Sequence, residues 1–172
     1  MIFRSDVTWL EQDCRAIQSE RRFSLIFSAT NAMQHLHDLD SVNAFLGSAK
    51  RVLAPGGTLI LDVFNPDIRK LARSADTRYL HKSMVDTEGN EIRVEATSHY
   101  DTASQILRFE LYYLRNGECI RTKQVSMRCF FPEELLALCR FNGFDVARRF
   151  GGYDGSPFTT HSSKQILFCR AA

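Results

Sequence analysis

The chain has 172 residues, 44% hydrophobic and 24% charged, which suits one soluble globular domain with a buried core of useful size. Its formal net charge of +2 at pH 7 gives no sign of a nucleic-acid or anionic-membrane partner, and no apolar run reaches the roughly 18 residues of a membrane span. Residues 1–10 lack the apolar stretch of a secretory signal, and the five cysteines are scattered without a CxxC pair, so a cytoplasmic protein with reduced thiols is expected.

Val7-Thr-Trp-Leu-Glu-Gln-Asp13 reads as a short strand ending on an acid, followed by a polar loop over residues 14–22. Phe23-Ser-Leu-Ile-Phe27 is a nearly continuous apolar run, of the kind buried on both faces in a parallel sheet. Over residues 40–53 the period becomes helical. Val42, Phe45, Leu46, Ala49, Val52 and Leu53 form one stripe, with Asp40 as N-cap and Lys50 and Arg51 in the last turn. Pro55-Gly56-Gly57 stops the helix, and Thr58-Leu-Ile-Leu-Asp-Val-Phe64 is another buried-type strand, which completes a βαβ unit.

Residues 83–86, 91–100, 106–114 and 119–130 then alternate apolar and polar, as antiparallel strands do, and Asn116-Gly117 is a two-residue hairpin signal. Residues 132–141 return to a helix with proline in its first turn and Gly143 as its stop. Residues 144–150 and 164–170 close the chain as strands, separated by the loop Gly151-Gly-Tyr-Asp-Gly-Ser-Pro-Phe158. The whole reads as one domain over 1–172, with an antiparallel β insertion over about 83–130.

Three segments carry a resemblance. Phe23-Ser-Leu-Ile-Phe-Ser-Ala-Thr-Asn-Ala-Met-Gln-His-Leu36 is similar to the fourth strand and following loop of the class I, Rossmann-like S-adenosylmethionine-dependent methyltransferases. Ala49-Lys-Arg-Val-Leu-Ala-Pro-Gly-Gly-Thr-Leu-Ile-Leu-Asp62 resembles that family's L-x-P-G-G-x-L entry to the fifth strand. Pro132-Glu-Glu-Leu-Leu and Asn142-Gly-Phe144 resemble the helix before the sixth. The resemblance implies an α/β fold with a mostly parallel sheet, a β insertion after the fifth family strand, and S-adenosylmethionine as cofactor. The family's opening features, a G-x-G-x-G loop and an acid ending the second strand, have no counterpart among the nine glycines, so a truncated family member with an incomplete cofactor site is expected.

By this resemblance, Asp13 and Cys14 meet the adenine, and Ser28, Ala29 and Thr30 line the cofactor from the loop after the fourth strand. Asn31 and His35 face a methyl acceptor, with His35 able to take its proton. Asp62, Phe64 and Asn65 end the fifth strand at the same crevice, and Arg128 and Tyr153 close over an acceptor. Each has a plainer reading: Asp13 and Asn31 as caps, His35 packed at a helix start, Asn65 in a turn, Arg128 and Tyr153 at the surface. His35-Leu-His37 has no third ligand nearby, so no metal is expected, and GxSxG, P-loop and kinase signatures are missing. Three functions stay open: a methyltransferase for a small molecule, a non-catalytic remnant serving as a scaffold, and an apolar-ligand module built on Tyr100, Phe109, Tyr112, Tyr113 and Phe130. Without its first strands, the strand over 23–27 has a bare apolar edge. Residues 7–10 are therefore expected to fill it, or a homodimer or a partner chain to cover it.

Overall fold

The computed structural model describes residues 7–172, so the expectation about residues 1–10 falls in part outside the described residues. Two four-stranded sheets organise the chain. In the first, β1 (Phe23–Ser28) lies beside β2 (Leu53–Phe64), and β8 (Lys164–Ala171) and β7 (Phe144–Phe150) continue the order β1-β2-β8-β7. β1 and β2 are parallel, in register from Leu25 opposite Thr58 to Ser28 opposite Leu61, as the crossover reading requires. β8 runs against both β2 and β7, so three of the four strands share one direction.

The crossover helix α1 (Leu39–Val52) buries Val42, Phe45, Leu46, Ala49 and Val52, the stripe read from the sequence. Its cap is Asp38 and not the expected Asp40: the Asp38 carboxylate accepts from the backbone N–H of Ser41 at 2.7 Å. Both aspartates precede the apolar run, and only backbone geometry distinguishes them; Asp38 is extended, whereas Asp40 lies in the first turn. β2 starts directly at Leu53, so Pro55-Gly56-Gly57 belongs to the strand's irregular beginning, where the register with β1 shifts.

α1 and α3 (Pro132–Phe141) cover one face of this sheet. Leu59, Leu61 and Val63 of β2, with Leu167 and Cys169 of β8, pack there against Phe45, Leu46, Leu135 and Cys139. By strand alternation, Leu25, Phe27, Ile60 and Phe168 point to the opposite face. Leu25 and Phe27 stay 54% and 64% exposed there.

The second sheet is an antiparallel meander of β3 (Tyr79–Val85), β4 (Glu91–Asp101), β5 (Ile106–Arg115) and β6 (Glu118–Arg128). The expected hairpin is present, with φ of 51° at Asn116 and 84° at Gly117. A short helix, α2 (Ile68–Leu71), joins the two sheets and was not read from the sequence.

The strand expected over residues 7–13 does not form. Val7, Trp9 and Leu10 are largely exposed and pair with no strand, so they do not fill the edge of β1. The chain instead enters a 3-10 turn, Cys14–Ala16, tied to α1 where the Ile17 N–H donates to Ser48 Oγ at 2.7 Å. β-forming residues settle into a strand only where a neighbouring strand takes up their backbone groups.

Candidate functional site

The carboxyl ends of β1 and β2 open side by side, and the loop after β1 crosses them. Thr30 and Asn31 both adopt left-handed backbone, with φ of 55° and 64°. For a β-branched threonine this conformation is strained. Asp62 holds it in place: its carboxylate accepts from the Thr30 N–H at 2.9 Å, and its backbone carbonyl accepts from the Asn31 N–H at 3.1 Å.

Asp62 is 4% exposed and fully engaged. Lys164 Nζ donates to Oδ1 at 2.6 Å and the Tyr153 hydroxyl donates to Oδ2 at 2.5 Å. Lys164 also lies 4.9 Å from the centre of the Tyr153 ring. Burial pushes the Asp62 carboxyl up, but the hydrogen bonds from Lys164, Tyr153 and Thr30, with the lysine charge, more than offset it and hold the pKa below the usual range. Burial lowers Lys164 in turn, and Asp62 and Tyr153 together raise it above its ordinary value. Tyr153 therefore latches the glycine-rich loop onto the strand ends while its ring stays exposed.

Ser28 is buried at the end of β1 and Ala29 is half-buried beside it. Asn31 precedes the second 3-10 turn, Ala32–His35, without capping it, and its buried Oδ1 has no donor. His35 is exposed, and its Nδ1 lies 3.1 Å from the Ser126 carbonyl of β6. A carbonyl only accepts, so the proton sits on Nδ1 and a neutral His35 carries its lone pair on Nε2. His37 Nε2 meets the same carbonyl at 3.2 Å. Between the two histidines' neighbours, the buried Gln34 bridges the sheets: its Oε1 accepts from the Phe64 N–H and its Nε2 donates to the Arg128 carbonyl.

Arg128 is only 9% exposed. Its guanidinium donates to Gln105 Oε1 at 2.7 Å, Glu134 Oε1 at 2.8 Å and the His37 carbonyl at 3.2 Å. The expected reach of Arg128 toward an acceptor thus gives way to a tie between β6, α3 and the loop before α1. Asp13 and Cys14 hydrogen-bond to none of the strand-end residues and lie at the 3-10 turn tied to α1. Both Asp13 oxygens are held by Arg15, whose hydrogen bonds bring the carboxyl down to about 2, and the Arg15 guanidinium reaches Ser41 of α1 at 3.4 Å. Asp13 also caps the 3-10 turn, and burial raises the Cys14 thiol.

Asn65 follows β2 and lines a cavity of about 710 Å³ between α2, the sheet β3–β6 and residues 160–163. Its Nδ2 donates to the Ser162 carbonyl at 2.9 Å and its backbone N–H to that of Ser163. Asn65 Oδ1 is left buried without a donor. Sequence reading brought Asp62 and Tyr153 to the crevice but missed Lys164 and Gln34. Lys164 opens the terminal strand opposite Phe64, so its approach to Asp62 was visible only once β8 was known to pair antiparallel with β2.

Solved structures to which the chain is similar include several methyltransferases. The CcbJ methyltransferase of Streptomyces caelestis matches with a TM-score of 0.80 at 24% identity, over 95% of this chain and 62% of that one. The fold is a methyltransferase fold. An S-adenosylmethionine-dependent methyltransferase from Clostridium acetobutylicum matches with a TM-score of 0.73 at 13% identity, over 94% of this chain and 63% of that one. An amino pentose methyltransferase from Micromonospora echinaspora, solved with S-adenosylmethionine bound, matches with a TM-score of 0.69 at 19% identity, over 93% and 63%. The chain thus spans about 62% of the length of the methyltransferases it resembles. No family model and no curated protein matches it. Among the described residues, no helix is long and apolar enough to cross a membrane.

Proposed function

We propose that this chain forms the acceptor-binding part, and one side of the cofactor site, of an S-adenosylmethionine-dependent methyltransferase acting on a nitrogen of a small polar molecule. One observation carries the reading: β2, parallel to β1, ends at Phe64 and Asn65 on a cavity roofed by the antiparallel sheet, and the amide oxygens of Asn65 there and of Asn31 in the loop after β1 have no donor. Ligands of open α/β sheets collect at such strand ends. A buried amide oxygen without a donor is costly, and an N–H or O–H of a bound molecule satisfies it.

Residues of this chain would hold one side of the cofactor. Asn31 Oδ1 and the strained loop over 28–31 would meet its amino-acid part, and Asp13 with the Cys14 N–H its adenine, since a carboxylate held by Arg15 keeps lone pairs for a further donor. Bound S-adenosylmethionine would supply an electrophilic methyl. The chain's own groups then orient the acceptor: Asn65 Oδ1 takes an N–H, and His35, its Nδ1 proton committed to Ser126, accepts a proton at Nε2. Arg128 and Tyr153 act through position, holding the roof sheet and the loop over the strand ends. The nitrogen acceptor is supported by neighbours described as an amino pentose methyltransferase, a sugar N-methyltransferase and a glycopeptide N-methyltransferase.

Isothermal titration with S-adenosylmethionine tests the reading. Micromolar binding, by the chain alone or with the remaining first portion of such a methyltransferase supplied in trans, is the expected result. Silence in both settings overturns it and favours the scaffold.

A further inference from the structure

The cavity beside Asn65 is uneven in charge. Its lining carries Arg69, Lys70, Arg73, His81 and His161 against a single carboxylate, Asp67. That carboxylate is already engaged, accepting from the Arg69 N–H at 3.0 Å and standing 3.6 Å from the Arg69 guanidinium. Among the described residues neither Lys70 nor Arg73 pairs with a carboxylate. Arg73 is nonetheless oriented, since its guanidinium lies 4.2 Å from the centre of the Tyr79 ring. Stacking by the face leaves the in-plane N–H groups of arginine free to meet a planar or tetrahedral oxyanion. His81, whose ring lies 6.2 Å from that of Phe109, is held below its ordinary pKa by burial and by Lys82. The orphaned Asn65 Oδ1 repels an anion and calls for a donor. The cavity therefore sets the unpartnered Asn65 amide at the end of β2 beside two unneutralised cations, Lys70 and Arg73, with the His81 ring of β3 in the same lining.

We propose that the acceptor molecule bears an anionic group, phosphate or carboxylate, seated by Lys70, Arg73 and His81, while its N–H or O–H end reaches Asn65. This rests on reading the cavity as the acceptor site and adds the charge of the molecule that fills it. The experiment titrates the 172-residue chain separately with inorganic pyrophosphate and with succinate, following the His81 and His161 ring resonances by NMR. One of the two anions is expected to saturate, to shift His81 and to raise its pKa, and the better ligand names the source of the charge. Lys70→Glu with Arg73→Glu, both at exposed positions, should keep the far-ultraviolet circular dichroism and weaken that binding by about tenfold or more. Unchanged His81 resonances with both anions overturn the proposal, as does equal binding by the folded double variant. Titration with S-adenosylmethionine separates the two readings: cofactor binding without anion binding removes the charged acceptor alone, and anion binding without cofactor binding removes the methyltransferase reading alone.

Discussion

The Asp62 carboxylate joins β2 to the loop after β1, the glycine-rich loop and β8. A buried carboxylate costs several kcal/mol in desolvation unless its lone pairs are filled, and here Lys164, Tyr153 and the Thr30 N–H fill them. Asp62→Asn leaves Lys164 without its anion, and a loss of about 3 kcal/mol in urea unfolding is expected. The sign of the pH dependence follows from the two shifts. The Asp62 pKa is depressed, so its contribution is present above the unfolded carboxyl value of about 4 and is lost as the pH falls through the lower folded value. The Lys164 pKa is raised, so its share is present below about 10.4 and is lost as the pH rises through the higher folded value. The stability gap between the natural chain and Asp62→Asn should be flat from about pH 5 to pH 9 and close below about pH 4. A gap unchanged at pH 3 would contradict the ion pair. Thr30→Gly, at φ 55°, removes a left-handed β-branched residue and should raise stability by up to about 1 kcal/mol.

At the scale of elements, the glycine pair in β2 divides its work. Gly56 has φ of 72°, while Gly57 has no room for a side chain: a Cβ there would stand 2.9 Å from the Ala54 carbonyl oxygen and 3.0 Å from the Leu53 side chain. Gly57→Ala must push backbone, and a cost of about 1–3 kcal/mol by thermal or urea unfolding is expected. α1, β1, β2 and most of the meander are legible because each rests on a local period or turn: the stripe from Val42 to Val52, the run of Phe23–Phe27, the φ > 0 pair at Asn116 and Gly117; β3, expected over 83–86, begins earlier, at Tyr79. Residues 7–13 were misread because β-forming composition describes what fits a sheet, not whether a sheet edge is there to receive it. α2 has four residues, too few to show a period. The site was half legible for a similar reason. Asp62 lies near the end of β2, and Asn31, His35 and Asn65 follow their strands, so all four could be placed from the chain. Their partners, the Ser126, Ser162 and Ser163 carbonyls as acceptors and the Lys164 ammonium as donor, come from distant segments, and such pairings across the fold leave no trace in local sequence. Arg128 shows the converse, since its charge suggested a ligand while its partners make it a brace. Arg128→Met should lower stability by about 2 kcal/mol or more, because it leaves Glu134 and Gln105 without their donor.

For the whole molecule, the asymmetry of the first sheet matters most. α1 and α3 close one face, while the outer edge of β1 and the face bearing Leu25, Phe27 and Ile60 keep open apolar surface. Edges of this kind, without a charge or proline inside the strand, pair readily with other chains. Phe23–Ser28 carries neither. The methyltransferases that share the fold extend beyond the matched region by more than a third of their length, and material of that size can cover both the edge and the face. Charging the face tests what it is for. Leu25→Lys with Phe27→Lys alters side chains 54% and 64% exposed, so the fold should survive with a stability change within about 0.5 kcal/mol. If the surface is an association edge, the natural chain sediments as a concentration-dependent oligomer and the double variant as a monomer. The variant should also fail to gain S-adenosylmethionine binding when the first portion of a related methyltransferase is added in trans, while the natural chain gains it. A natural chain that stays monomeric at high concentration, and a variant that accepts the added portion as well as the natural chain does, would show that β1 is sufficient to itself.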